Sequence, residues 1–131
     1  MKKHSSGSII NIGSYMGLLG PNPANYVDTD MFNIENPSPI YYYEKGGMVN
    51  FTRFAASVLG KNNIRVNCIN PGGFQTSNMQ KPFIKHYNQN TMLGRLANDT
   101  DLKGIIVFLA SDASAYITGT NIPVDGGYTA K

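Results

Sequence analysis

Cysteine is nearly absent from this sequence. The single Cys68 has no partner for an internal disulfide, and together with only two histidines, His4 and His86, it makes no metal-binding constellation. Set in an alternating apolar stretch, Cys68 reads as a core residue of a protein kept in a reducing compartment. Long hydrophobic runs are missing as well. The longest, residues 105–110, falls far short of the ~20 apolar residues of a membrane helix. The basic start MKKHSSGSII lacks the run of ~7–15 apolar residues that a signal peptide needs, because Asn11 interrupts after two isoleucines. The expected location is therefore the cytoplasm, with no membrane partner. Charge is sparse: charged residues make up 15% of the chain, and its eleven lysines and arginines form no block or stripe, which sets nucleic acid aside as a partner. What remains is a chain of 131 residues, 41% hydrophobic, enough for one globular domain with a core.

The residues present alternate between two periods. SIINI, residues 8–12, is a β-branched run between Gly7 and Gly13 and reads as a buried strand. The next 28 residues, 13–40, hold four of the seven prolines and read as a long loop, a length that is usually functional. From Tyr41 the pattern turns helical: Met48, Phe51 or Thr52, Ala55, and Val58 or Leu59 recur at three-to-four spacing, and Gly60 is a natural stop. IRVNCIN, residues 64–70, alternates as a strand and ends at Pro71-Gly72-Gly73. Residues 74–98 are polar and irregular, with a short helix near 82–88. Asp99 or Thr100 is the N-cap candidate of a helix whose Leu102, Ile105, Ile106 and Leu109 share one face. Thr118-Gly119 is a turn, and NIPV a last short strand. The order strand, helix, strand, helix, strand predicts an α/β fold with parallel strands.

One stretch in this frame carries chemistry. In IYYYEKGG, Tyr41 and Lys45 stand four apart on a helix and share a face. Tyr42, three before Lys45, also reaches it, while Tyr43 points elsewhere. An ammonium beside a phenol favours the phenolate and lowers a pKa of ordinarily about 10, so such a tyrosine can exchange a proton nearer neutral pH. Helix geometry leaves Tyr41 and Tyr42 both open.

Four segments in order, from about residue 6 to residue 128, resemble the C-terminal half of a classical short-chain dehydrogenase/reductase. GSIINIGSYMG is similar to that family's strand and its serine, here Ser14. YYYEKGG resembles its Tyr-x-x-x-Lys helix, which selects Tyr41 and Lys45. IRVNCINPGGFQT is similar to the following strand and Pro-Gly-x-x-x-Thr loop, and LGRLANDTDLKGIIVFLASDASAYITGTNIPVDGG to the closing helix, Ile-Thr-Gly turn and last strand. The resemblance implies an NAD(P)-dependent oxidoreductase that moves hydride between nicotinamide and a carbonyl or secondary alcohol. It implies that Tyr41 is the acid/base, that Lys45 lowers its pKa and holds the nicotinamide ribose, and that Ser14 binds the substrate oxygen. Pro71, Gly72, the backbone at Phe74 and the Thr76 hydroxyl would hold the nicotinamide end of the cofactor.

The family's glycine-rich cofactor loop has no counterpart here. GSYMGLLG has the wrong spacing, and Pro21 and Pro23 follow where a helix should begin. The resemblance thus implies residues 1–131 as one half of a Rossmann-type doubly wound sheet, without the residue that selects NAD over NADP. Residues 21–40, carrying Tyr26, Asp28, Asp30, Phe32 and Glu35, read as an inserted loop near the active site. Similar insertions occur in relatives linked to surface carbohydrates, so a sugar or sugar-nucleotide substrate is one expectation. A half-domain exposes an unpaired sheet edge, which predicts a homo-oligomer or a complementing N-terminal half as partner. The alternative function is a catalytically silent fragment that acts as an oligomerisation module.

Overall fold

The computed structural model describes residues 1–31 and 38–131; Phe32 and Glu35 of the loop lie outside the described residues. Strands β1 (Gly7–Ile12), β2 (Ile64–Pro71) and β3 (Asn121–Val124) form a parallel sheet in that spatial order. β1 aligns Gly7 with Ile64 and Ile12 with Ile69, and β3 aligns Asn121 with Cys68. Parallel neighbours need long crossovers. Helix α1 (Ile40–Leu59) lies in the first, and α2 (Lys81–Asn90) and α3 (Lys103–Ala110) in the second. The fold is α/β, half of a Rossmann-type doubly wound sheet.

Alternation along the strands assigns the two faces. Ile9 and Val66 pack with Ala55, Ala56 and Leu59 of α1 on one face, where Asn11 Nδ2 also donates to Thr52 Oγ1 at 2.9 Å. Val66 is wholly buried, a contribution of about 1.5–3 kcal/mol for a side chain of its size. On the other face Ser8 Oγ and Arg65 Nη2 both donate to the Leu109 carbonyl, and Arg65 also reaches Ser111 O. A cation there satisfies the orphan carbonyls at the C-terminus of α3.

The helical period left two choices on α1, and the structure makes them. Thr52 faces the sheet, its hydroxyl donating to Met48 O at 2.8 Å, while Phe51 is exposed. Leu59 packs inward and Val58 outward. Phe51, Phe54 and Val58 form an exposed apolar stripe.

Three expectations are corrected. Helix α3 begins at Lys103 after Leu102 with no side-chain cap, so neither Asp99 nor Thr100 caps it. The polar groups that would have done so close a turn of their own: Asn98 Oδ1 accepts from the Thr100 N–H and hydroxyl, and the Asp101 carboxylate accepts from Asn98 N. Of the face drawn for α3, only Leu109 is buried. The long loop also has local structure: 3-10 turns at Tyr15–Gly17 and Pro23–Tyr26 are capped by Ser14 and Asn22.

Candidate functional site

The sheet delivers Ser14 at the carboxyl end of β1. Gly13 N donates to Ile69 O at 2.8 Å, so pairing persists one residue beyond the strand. A side chain at Gly13 would collide with Asn70 Oδ1 and Cys68 Sγ, which explains a glycine at the point where the chain turns. Ser14 is buried and its Oγ accepts from Met16 N at 3.1 Å.

Helix α1 brings Lys45 to the same strand end. Lys45 Nζ donates to Ile12 O at 3.0 Å and stands 5.7 Å from the centre of the Tyr41 ring. One ammonium therefore joins the strand two residues before Ser14 to the ring four residues before itself. The turn after Ser14 is pressed onto this point: a side chain at Gly17 would stand 2.5 Å from Lys45 O.

The three consecutive tyrosines separate. Tyr41 lies beside Lys45 and is 45% exposed. Tyr42 meets Tyr41 edge-on, and its phenol is held above the ordinary range by burial, with Tyr128 and Tyr41 adding to the rise. Tyr43 is 83% exposed. Tyr42 also joins Leu18, Leu19, Pro21 and Pro39 in an apolar groove beside the start of α1.

At the end of β2, Pro71 is buried and Gly72 N donates to Val124 O at 3.0 Å. Gly73 O accepts from Ala97 N and Gln75 N donates to Ala97 O, so the Phe74 bridge to Ala97 directs Phe74's own N–H and C=O to the opposite edge. Thr76 is exposed and its hydroxyl donates to Asn78 Oδ1 at 2.8 Å. The structure thus gathers Ser14, Tyr41 and Lys45 at one strand end and holds Pro71, Gly72 and Phe74 at the next, while Thr76 is turned to its own loop.

A further cluster joins aromatic residues from distant segments of the chain. Tyr15, Phe83, Tyr87, Leu96 and Tyr128 form a buried core, with Tyr26 packed against it. Burial drives the Tyr15 phenol far above the ordinary range and pushes Tyr26 up to about 12, the neighbouring tyrosines adding to both. Fully buried Asn25 spends both ends of its amide, donating to Tyr128 Oη at 2.7 Å and accepting from Asn90 Nδ2 at 2.9 Å. The described part of the loop is thereby tied to α2 and to the C-terminal turn. The aromatic residues at 83 and 87, four apart, were the available signal; their partners lie in other segments.

Among the described residues no group of three or more histidine, cysteine or acidic side chains gathers to hold a metal, and no helix is long and apolar enough to cross a membrane.

A family model described as enoyl-(acyl carrier protein) reductase matches residues 1–129. The chain is 36% identical over 135 residues to 3-oxoacyl-[acyl-carrier-protein] reductase FabG of Chlamydia trachomatis, covering 97% of itself and 47% of that protein. It is 38% identical over 129 residues to trans-4-hydroxycyclohexanecarboxylate dehydrogenase of Sinomonas cyclohexanicum, covering 98% and 43% respectively. Among solved structures, a short chain dehydrogenase from Leptospira borgpetersenii with bound NAD+ superposes with a TM-score of 0.86 at 37% identity, over 98% of this chain and 47% of that one. A gluconate 5-dehydrogenase from Burkholderia cenocepacia in complex with NADP and tartrate gives 0.84 at 27% identity, over 99% and 48%. The chain spans about half the length of the curated relatives it matches.

Proposed function

The chain belongs to the short-chain dehydrogenase/reductase family, and from that premise we propose that it carries the substrate and nicotinamide half of an NAD(P)-dependent oxidoreductase acting on a carbonyl or secondary alcohol. The observation that carries this reading is Lys45, bonded to Ile12 O beside Ser14 and set against the Tyr41 ring. In the reducing direction Tyr41 gives its proton to the carbonyl oxygen, and Ser14 donates a hydrogen bond to the same oxygen as charge gathers there. Lys45 stabilises the phenolate that Tyr41 leaves behind.

NAD or NADP supplies or accepts the hydride when bound. The residues fit its nicotinamide end: Lys45 offers an ammonium, Pro71 and Gly72 a fixed turn, and Phe74 a backbone edge turned away from Ala97. The Thr76 hydroxyl would have to leave Asn78 to join them. Among the described residues, no glycine-rich turn opening a helix offers backbone N–H groups to a pyrophosphate. The groove of Leu18, Leu19, Pro21, Pro39 and Tyr42 supports the inserted loop as a substrate wall. A sugar or sugar-nucleotide substrate is the finer form of the proposal, and it would have to offer this wall an apolar face.

The test is a titration with NADH and NADPH, then carbonyl reduction by Tyr41→Phe and Lys45→Met. Loss of one proton donor is expected to cut turnover by about 10²–10⁴-fold with binding kept in Tyr41→Phe. Undiminished turnover in Tyr41→Phe would remove Tyr41 as the acid. A second reading, a non-catalytic oligomerisation module, is supported by the exposed Phe51, Phe54 and Val58. It predicts self-association that Phe54→Glu abolishes, with no uptake of either nucleotide.

A further inference from the structure

Helix α2 is seated on the loop that precedes α1. Contacts spaced along the helix tie it to residues 22–31. Asp30 N donates to Gln80 Oε1 at 3.3 Å just before its start, the Tyr26 and Phe83 rings meet at 5.3 Å in its first turn, and Asn90 Nδ2 donates to Asn25 Oδ1 at 2.9 Å at its end. Among the described residues, α2 packs more against the Pro23–Tyr26 turn than against any strand or other helix. That turn is firmly built: Asn22 caps it, Pro23 opens it, and the Thr29 hydroxyl donates back to Tyr26 O at 2.8 Å. Asn25 is fully buried, and the other end of its amide donates to Tyr128 Oη at 2.7 Å, whose ring stacks on Tyr87 at 5.0 Å. One side chain of α2 then returns to the end of the sheet. Tyr87, 1% exposed, accepts from Gly73 N at 2.6 Å. A side chain at Gly73 would come within 3.0 Å of Tyr87 Cζ, so ring and backbone are in direct contact and a shift of α2 is passed to Gly73.

We propose that residues 22–31 and α2 form one lobe with Asn25 as its pin, and that Asn25 is a positioning residue for the backbone at Gly73, and so for the nicotinamide end beside Pro71 and Gly72. The nicotinamide clause rests on the oxidoreductase reading above; the lobe does not. The loop thereby has a second task besides walling the substrate groove: it sets where α2 stands, and α2 sets where Gly73 stands. Asn25 suits the task because a buried amide with both ends bonded has one position, and a side chain without them leaves the Tyr128 hydroxyl and the Asn90 amide without that partner.

The experiment measures amide hydrogen exchange in the whole chain for wild type, Asn25→Ala, Asn90→Ala and Tyr87→Phe. Asn25→Ala, in the loop, is expected to speed exchange about fivefold at Ile84 in α2 and at Gly73, with the Cys68 amide of β2 unchanged. Asn90→Ala, in the helix, is expected to speed exchange at Thr29 in the loop, the reciprocal effect that one body requires. Tyr26→Leu, which loses the ring contact with Phe83, decides the same question should Asn25→Ala not fold. In Tyr87→Phe, where Gly73 N has lost its acceptor, adding Asn25→Ala should change the Gly73 rate little. Ile84 and Gly73 at wild-type rates in the loop variants would overturn the proposal. So would equal acceleration at Cys68, which means general loosening, or a full further effect of Asn25→Ala at Gly73 in Tyr87→Phe. NADH affinity supplies the functional readout: Asn25→Ala is expected to bind several-fold more weakly, and wild-type affinity with Gly73 exchange accelerated would sink the nicotinamide clause. A wild-type chain that takes up no NADH counts against the proposed reaction and not against the lobe, which the exchange rates then decide alone.

Discussion

Replacing Gly17 by alanine tests the contact that sets the candidate site. The new Cβ would stand 2.5 Å from Lys45 O, 2.7 Å from its carbonyl carbon and 3.1 Å from Gly46 N. Ordinary contacts lie near 3.5 Å, so the turn and the helix must part by about 1 Å. Neither side gives easily. Lys45 lies within the 20-residue helix α1, and the turn is capped by Ser14. Overpacking of this kind costs about 1–3 kcal/mol, against which the stiffer unfolded chain returns about 0.4–1 kcal/mol. The expected net loss is about 1–2 kcal/mol, read as a lower urea midpoint at unchanged slope. Gly47→Ala on the same helix is the control, since nothing lies within 4 Å of its Cβ position. It should stabilise by about 0.5–1 kcal/mol, as a helix-interior glycine replaced in open space. Moving the Lys45 turn also strains its bond to Ile12 O, so NADH affinity should fall with Gly17→Ala and hold with Gly47→Ala. If Gly17→Ala matches wild type in stability while Gly47→Ala shows its gain, the turn does not press on α1 and this account of the site is wrong.

Asn25→Ala strips a partner from both the Tyr128 hydroxyl and the Asn90 amide, and is expected to cost about 1–3 kcal/mol in urea unfolding; a loss below about 0.3 kcal/mol would show that the loop is not held there. Tyr26, raised from 10.0 to about 12, gives a signed pH dependence. Its neutral form is favoured in the folded state, so its contribution is complete below about pH 10 and is lost as pH rises toward about 12. Urea midpoints followed across that window should fall, and fall less in Tyr26→Phe. The Arg95 guanidinium, 2.6 Å from the Asp101 carboxylate, holds that acid at about 2 against an ordinary 3.8. Arg95→Gln should return it toward the ordinary value in a carboxyl-carbon titration by NMR, and an unmoved titration would remove the pair as the cause. Both groups face water, so stability should barely change.

What could be read without coordinates follows from which interactions have a period. β1, β2 and β3 announced themselves through alternation and β-branching, and α1 through three-to-four spacing. The choice between Phe51 and Thr52 did not, because both satisfy the period. It is decided by Asn11 across the interface, whose amide donates to a hydroxyl. The N-cap of α3 was misplaced for a related reason. Asp99 and Thr100 have capping chemistry, but the Thr100 hydroxyl donates to Asn98 Oδ1 in a turn of its own, and the helix begins only at Lys103.

The candidate site divides along the same line. Tyr41 and Lys45 sit on one helix, so their spacing alone shows that they meet, although spacing left Tyr42 open. What separates the two is the groove that Tyr42 lines with Leu18, Leu19 and Pro21, residues from an earlier segment of the chain. The buried aromatic core is the extreme case: Tyr15, Tyr87 and Tyr128 come from a turn, a helix and the C-terminal turn. No local pattern links them, because the contact exists only once β1 and β2 are in register and α2 has packed beneath them. A substitution at Tyr87 would pass any reading by periodicity, since phenylalanine keeps the apolar face of α2 and removes only the oxygen. That oxygen accepts from Gly73 N at 2.6 Å, so a conservative change in the core is expected to loosen the backbone at the end of β2.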